Sequence, residues 1–218
     1  MDDFPRARRA MVDSQLRPNG VTDLRLIEAM GALEREMFVP GALRPLAYLD
    51  QDLLLSPGGR RLLSPMNFAR LAQLAELTPA SIVLDVGCGT GYSTAVLARL
   101  CGSVVGLDDD AALVAAANEN LAALDIGNAA AVSGDLASGR AKDAPFDAIL
   151  IEGAIETEPA DLLTQLKEGG RLVAFLARGR VASAAVWTRT GGEFARIVTF
   201  DSSAPALAAF ARAFQFRF

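Results

Sequence analysis

Acidic residues and glycines carry the concentrated chemistry of this 218-residue chain, which contains no histidine. Asp85 sits in the run SIVLDVGCGTGY, residues 81–92, two residues ahead of three glycines spaced G-x-G-x-G. Glycines at such a turn let the backbone approach a ligand that a Cβ would strike. A carboxylate at Asp85 would repel a pyrophosphate and attract an ammonium group. The third glycine follows the second by two residues and not three, so this is not the dinucleotide spacing G-x-G-x-x-G. Three more acids, Asp108, Asp135 and Glu152, close short apolar runs further on. Asp108 stands about 20 residues beyond the turn, where an acid accepts hydrogen bonds from both hydroxyls of a ribose. Asp109 and Asp110 can take that role or cap the following helix. Asp135 and Glu152 follow the third and fourth runs, at the strand ends where an open α/β sheet binds its ligand.

Without imidazole, the commonest general base and metal ligand are gone. Ser-His-Asp, Cys-His and His-ligated metal sites are excluded, and no metal is expected. A carboxylate nucleophile needs no base, because a pKa of about 4 leaves it ionised at neutral pH. A phenol, alcohol or amine would need Asp or Glu to take its proton.

The elements that must hold these residues follow from pattern. Ile82–Val86 is a short apolar run of the kind buried on both faces of a parallel sheet. A helix over Tyr92–Leu100 comes next, then strand Val104–Leu107 ending in Asp108, and a helix over Asp110–Leu124. Strand Ala129–Ser133 leads to Asp135, and strand Phe146–Ile151 to Glu152. A helix over Pro159–Leu166, a break at Gly169-Gly170 and strand Arg171–Leu176 complete the alternation. Such alternation predicts an α/β fold: a doubly wound, Rossmann-like, mostly parallel sheet with ligands at the carboxyl ends of its strands. Thr190-Gly191-Gly192 joins Val181–Thr188 to Glu193–Phe200 as a hairpin, giving seven strands.

Upstream, the pattern predicts a helix over Phe4–Arg17 and a second capped by Thr22, with Leu24, Ile27, Met30 and Leu33 at helical spacing. Leu46 to Gly59 shows no period. Ser64-Pro65 opens a third helix, with Ser as cap and Pro at the first helical position. One domain is expected: residues 1–78 as a helical cap and substrate loop, 79–218 as the ligand-binding core. Phe210, Phe214, Phe216 and Phe218 are expected to pack or to form an edge strand.

Net charge is −5, which argues against nucleic acid as a partner, since phosphate contacts need a basic surface. Arg6, Arg8 and Arg9 read as a solvated helix face. Cys88 and Cys101 make no disulfide framework. No apolar run reaches membrane-spanning length and no leader pattern is present. A cytoplasmic protein with no membrane partner is expected.

The run Asp85-x-Gly87-x-Gly89-x-Gly91 resembles motif I of the S-adenosylmethionine-dependent methyltransferases, whose cofactor has an amino acid end and no phosphate. More of the chain, roughly Met11 to Phe175, closely resembles the protein-L-isoaspartate O-methyltransferases. The segment from Leu16 to Leu55 carries it, with its Phe38-Val39-Pro40 and Ala47-Tyr48-x-Asp50 elements. So do SGDLASG, APFDAILIEGA and LLTQLKEGGRLV further on. The resemblance implies S-adenosyl-L-methionine as cofactor, held by Asp85, Gly87, Gly89, Thr90, Gly91, Asp108, Asp109, Asp135, Leu136 and Glu152. It implies methylation of the isoaspartyl carboxylate of damaged proteins or peptides, the start of their repair. The family's G-x-G-Q-T-I-S-[AQ]-P element is here Gly58-Gly59-Arg60-Arg61-Leu62-Leu63-Ser64-Pro65. With the prolines aligned the family serine falls on Leu63, so Ser64 either takes the catalytic place or only caps its helix. Arg60 and Arg61, standing for Gln-Thr, can bind a substrate carboxylate or lie exposed. A small-molecule acid as acceptor, or a non-catalytic cofactor-binding role, are the alternatives.

Overall fold

A computed structural model describes residues 3–179 and 181–212; Phe214, Phe216 and Phe218 lie outside them. The centre is a seven-stranded sheet. Its strands are β3 (Ile82–Val86), β4 (Ser103–Asp108), β5 (Ala129–Ser133), β6 (Phe146–Ile155), β7 (Leu166–Arg178), β8 (Val181–Thr190) and β9 (Glu193–Ser202). The order across it is β5-β4-β3-β6-β7-β8-β9. The first five run parallel, and β8 and β9 are antiparallel to their neighbours. The chain steps outward from β3 to β5 and then crosses back to lay β6 on the other side of β3. That reversal opens a crevice at the carboxyl ends of β3 and β6.

The central strands β3 and β6 are mostly apolar because both their faces are covered. In β3, Val83 belongs to one buried cluster, with Phe38, Phe68 and Tyr92, while Leu84 and Val86 belong to another, with Leu107, Ile149 and Trp187. Helices α4 (Tyr92–Ala98), α5 (Ala111–Ala123) and α6 (Ala160–Thr164) follow β3, β4 and β6.

The N-terminal segment supplies α1 (Phe4–Met11), α2 (Leu24–Ala32) and α3 (Pro65–Gln73). The expected first helix is longer than α1 but changes pitch: Val12–Leu16 is a π turn and Arg17–Asn19 a 3-10 turn, closed by Gly20 at φ 79°. A π turn sets residues five apart side by side, which buries both Met11 and Leu16. Asp23, not Thr22, caps α2: its carboxylate accepts from Arg25 N–H, while the Thr22 hydroxyl donates to Gln73. Leu53–Leu54 (β1) and Arg61–Leu62 (β2) pair as a small antiparallel ribbon across the stretch that shows no sequence period.

β6 and β7 run furthest past their expected limits. β6 extends to Ile155, and its pairing with β7 slips between Leu150 and Ala154. Glu152 and Gly153 therefore sit in a bulge. β7 begins at Leu166, with Gly169 and Gly170 inside the slipped register between Phe146 and Ala148 of its partner. After β9 the chain returns: Ala154 forms a parallel bridge with Ala206, and Phe210 is buried.

Candidate active site

The site is built where β3 ends. Gly87 and Cys88 donate their N–H groups to Leu107 O at 2.7 and 3.2 Å, tying the loop to β4. Gly87 and Gly89 adopt φ of 83° and 55°, the left-handed region that disfavours other residues. A Cβ on Gly89 would lie 2.6 Å from Leu55 Cδ1, so the ribbon's edge rests directly on the loop.

Asp85 is fully buried. Ser93 Oγ and Thr94 Oγ1, at the start of α4, donate to its Oδ2 at 2.7 and 2.6 Å, and among the described residues Oδ1 has no hydrogen-bond partner. Burial pushes its pKa up to about 6, against the two hydroxyl hydrogen bonds and with help from Asp108. Asp108, also fully buried, accepts from Gly89 N–H at 2.9 Å and Asp110 N–H at 3.1 Å. Burial raises its pKa and the Arg60 cation works against the rise. Glu152, re-aimed by the bulge, is buried with Oε1 unpartnered. Burial, and next the Asp85 charge, hold it well above the usual carboxylate range, with Arg35 opposing. Three buried carboxylates thus gather at the strand ends, on the floor of a trough, and among the described residues two of their oxygens have no donor. That pair of orphan acceptors fits an ammonium group.

Arg60 lies across the trough. Its Nε is 2.9 Å from Asp108 Oδ2 and its Nη2 is 2.8 Å from Asp109 Oδ1. A Cβ on Gly87 would meet Arg60 Nη1 at 3.5 Å, so the guanidinium rests over the glycine loop. Beside it opens a cavity of about 550 Å³, lined in part by Gly59, Asp109, Leu136 and Leu207. Burial of Leu207 closes the far wall; a Cβ on Gly153 would lie 2.7 Å from its Cγ.

The structure therefore brings Asp85, Gly87, Gly89, Asp108, Asp109, Glu152 and Arg60 together, with Leu136 on the cavity wall. Asp135 is exposed, and hydrogen bonds from Ser138, one from its N–H at 2.7 Å, hold its pKa low. Thr90 turns its hydroxyl to Phe38 O at 2.5 Å, joining the loop to the N-terminal segment. Gly91 packs against Ala117 of α5. Arg61 is exposed on the ribbon opposite Leu54, away from the trough. Ser64 is buried and caps α3: its Oγ accepts from Asn67 N–H at 3.4 Å and its own N–H donates to Asp52 at 2.8 Å.

Several residues of the site carry no readable sequence signal. Arg35 lies in Glu34-Arg35-Glu36, which reads as solvated charge, yet it is fully buried. It donates to Ala47 O at 2.8 Å and Leu63 O at 2.5 Å and sits 4.6 Å from the Tyr92 ring centroid, leaving Nη1 unpartnered. It clips the chain on both sides of the β1–β2 ribbon to α4. Leu55 and Leu207 reach the site from distant segments and read as ordinary apolar residues.

Known proteins match this arrangement over most of the chain. A model of the protein-L-isoaspartate(D-aspartate) O-methyltransferase family matches residues 6–197. A protein-L-isoaspartate O-methyltransferase of Koribacter versatilis (strain Ellin345) is 40% identical over 170 residues, covering 78% of this chain and 76% of that one. A protein-L-isoaspartate O-methyltransferase 2 of Anaeromyxobacter sp. (strain Fw109-5) is 44% identical over 166 residues, 76% of this chain and 68% of that one. Among solved structures, a protein of the same description from Plasmodium falciparum, in complex with S-adenosyl-L-homocysteine, superposes with a TM-score of 0.78 at 22% identity. It covers 93% of this chain and 98% of its own, and at that identity it speaks for the fold. With the family matched across the sheet, the glycine loop and the N-terminal segment alike, the chain belongs to the protein-L-isoaspartate(D-aspartate) O-methyltransferases.

Proposed function

We propose that this protein is an S-adenosylmethionine-dependent O-methyltransferase that methylates the isoaspartyl carboxylate of damaged proteins and so starts their repair. The observation that carries the reading is the pair of buried, unpartnered carboxylate oxygens on Asp85 and Glu152 beside the glycine loop. In the proposal they hold the ammonium of the cofactor's amino acid end. Asp108, with Asp109, holds the ribose, and Asp135 and Leu136 the adenine. The cofactor supplies a methyl group on a sulfonium, which a carboxylate oxygen accepts as the C–S electron pair leaves to sulfur.

No base is needed, so the protein's work is alignment and exclusion of water. Residues 1–78 serve as the cap and substrate loop, with Leu55 and the β1–β2 ribbon over the site, and 79–218 as the cofactor core. Arg60 is the proposed partner of the acceptor carboxylate, since a guanidinium matches a carboxylate in two parallel hydrogen bonds. Ser64 acts as a helix cap.

The test is base-labile methyl transfer to an isoaspartyl peptide, with the matched aspartyl peptide as control. Ester on the isoaspartyl peptide alone is the expected result. Transfer to free small acids and not to the peptide would replace this acceptor with a small-molecule one, a reading that Arg60 in place of the family's glutamine favours.

A further inference from the structure

We infer that Arg60 is a shared cation that couples the two halves of the site: it guards Asp108 against ribose and is handed to the acceptor carboxylate when ribose displaces it. The inference rests on the proposed methyltransferase reading and extends it to binding order. Arg60 Nε lies 2.9 Å from Asp108 Oδ2 as an ion pair without hydrogen-bond alignment, and Gly89 N–H donates to the same oxygen at 2.9 Å. Asp108 Oδ1 accepts from Asp110 N–H. The guanidinium, itself nearly buried, covers this fully buried carboxylate, so a ribose diol and the guanidinium compete for the approach to it.

The competition is local and reversible by construction. Arg60 immediately follows Gly58 and Gly59, the latter at φ 93° with open space around it, at the end of a two-residue strand pair. The side chain can swing without disturbing the sheet. Its second anchor, Asp109, is more than half exposed, so that ion pair is weakly held. Asp108 is different: with no cation its charge is buried uncompensated, which is costly. Arg60 therefore leaves only when other donors replace it, and once released its guanidinium is free beside the trough. Occupancy of the cofactor site then strengthens acceptor binding, and by reciprocity the acceptor strengthens cofactor binding.

The experiment measures equilibrium binding of S-adenosylhomocysteine and of an isoaspartyl peptide, each alone and together, to wild type, Arg60→Met and Arg60→Lys. Arg60→Met is expected to bind S-adenosylhomocysteine about tenfold more tightly than wild type, because nothing competes for Asp108. It is also expected to bind the peptide with equal weakness whether or not the cofactor site is filled. Wild type is expected to bind the peptide more tightly when S-adenosylhomocysteine is bound, and Arg60→Lys to fall between. Arg60→Met binding S-adenosylhomocysteine no better than a wild type that binds it well would overturn the competition. Peptide enhancement that survives in Arg60→Met would overturn the hand-over. Failure of every folded variant to bind S-adenosylhomocysteine would instead remove the methyltransferase reading beneath it.

Discussion

Glu152 and Asp85 set two carboxylates in a buried trough with too few donors between them. Both have pKa values raised chiefly by burial, Asp85 to about 6. The folded protein therefore keeps protons that the unfolded chain, with carboxyls near 4, has already lost. In that window the unfolded state binds fewer protons, so stability falls as pH rises from the unfolded value through about 6. Removing one of the charges relieves the conflict. Glu152→Gln is expected to raise the melting temperature at pH 7, by roughly 2–4 °C for each kcal/mol relieved. The same change is expected to weaken S-adenosylhomocysteine binding, because one proposed ammonium partner is lost. Calorimetry on both proteins checks the two signs together. An ammonium also prefers ionised partners, so wild-type affinity should climb as pH rises through about 6, with proton release. Titration in buffers of different ionisation enthalpy would show that release; a flat profile would mean these carboxylates do not meet the ammonium.

At the scale of elements, the glycine loop is fixed as much by what packs behind it as by what binds in front. Gly91 adopts φ 90°, and a Cβ there would fall 3.0 Å from Ala117 Cβ and 3.2 Å from its Cα. Gly91→Ala must both strain the backbone and push α5 from α4, and is expected to cost about 1–3 kcal/mol by chemical denaturation. Ser64→Ala removes only a cap, so about 1 kcal/mol of stability should go while transfer rate stays near wild type. A large loss of kcat with unchanged stability would return Ser64 to the chemistry. The strands and their order of appearance were legible in the sequence because Ile82–Val86, Val104–Leu107 and Phe146–Ile151 are each local apolar runs. The pitch change at Val12–Leu16, the Glu152 bulge and the β1–β2 ribbon were not. Each answers to a partner far along the chain, and a two-residue strand has too few positions to show a period. Asp85 and the glycines were readable for the same local reason. Arg60's place on Asp108 depends on a contact 48 residues away and has no local signature.

At the scale of the whole molecule, three remote stretches meet over the trough: the ribbon with Leu55 and Arg60, the ends of β3, β4 and β6, and the returning segment at 205–209. Gly153 is where the last two touch. A Cβ there would lie 2.8 Å from Pro205 O and 2.7 Å from Leu207 Cγ, so Gly153→Ala should lift the returning segment while leaving the sheet intact. Limited proteolysis within 204–210, together with weaker S-adenosylhomocysteine binding, is the expected signature. Unchanged cleavage would mean the segment accommodates the methyl group in place. The bridge from Ala154 to Ala206 also bears on how the protein is made. The carboxylates and the glycine loop leave the ribosome well before the strip that walls them in has been translated. A nascent chain halted short of Pro205 would hold an open-sided trough, so full affinity for the cofactor arrives only once the 205–209 strip is free to pack.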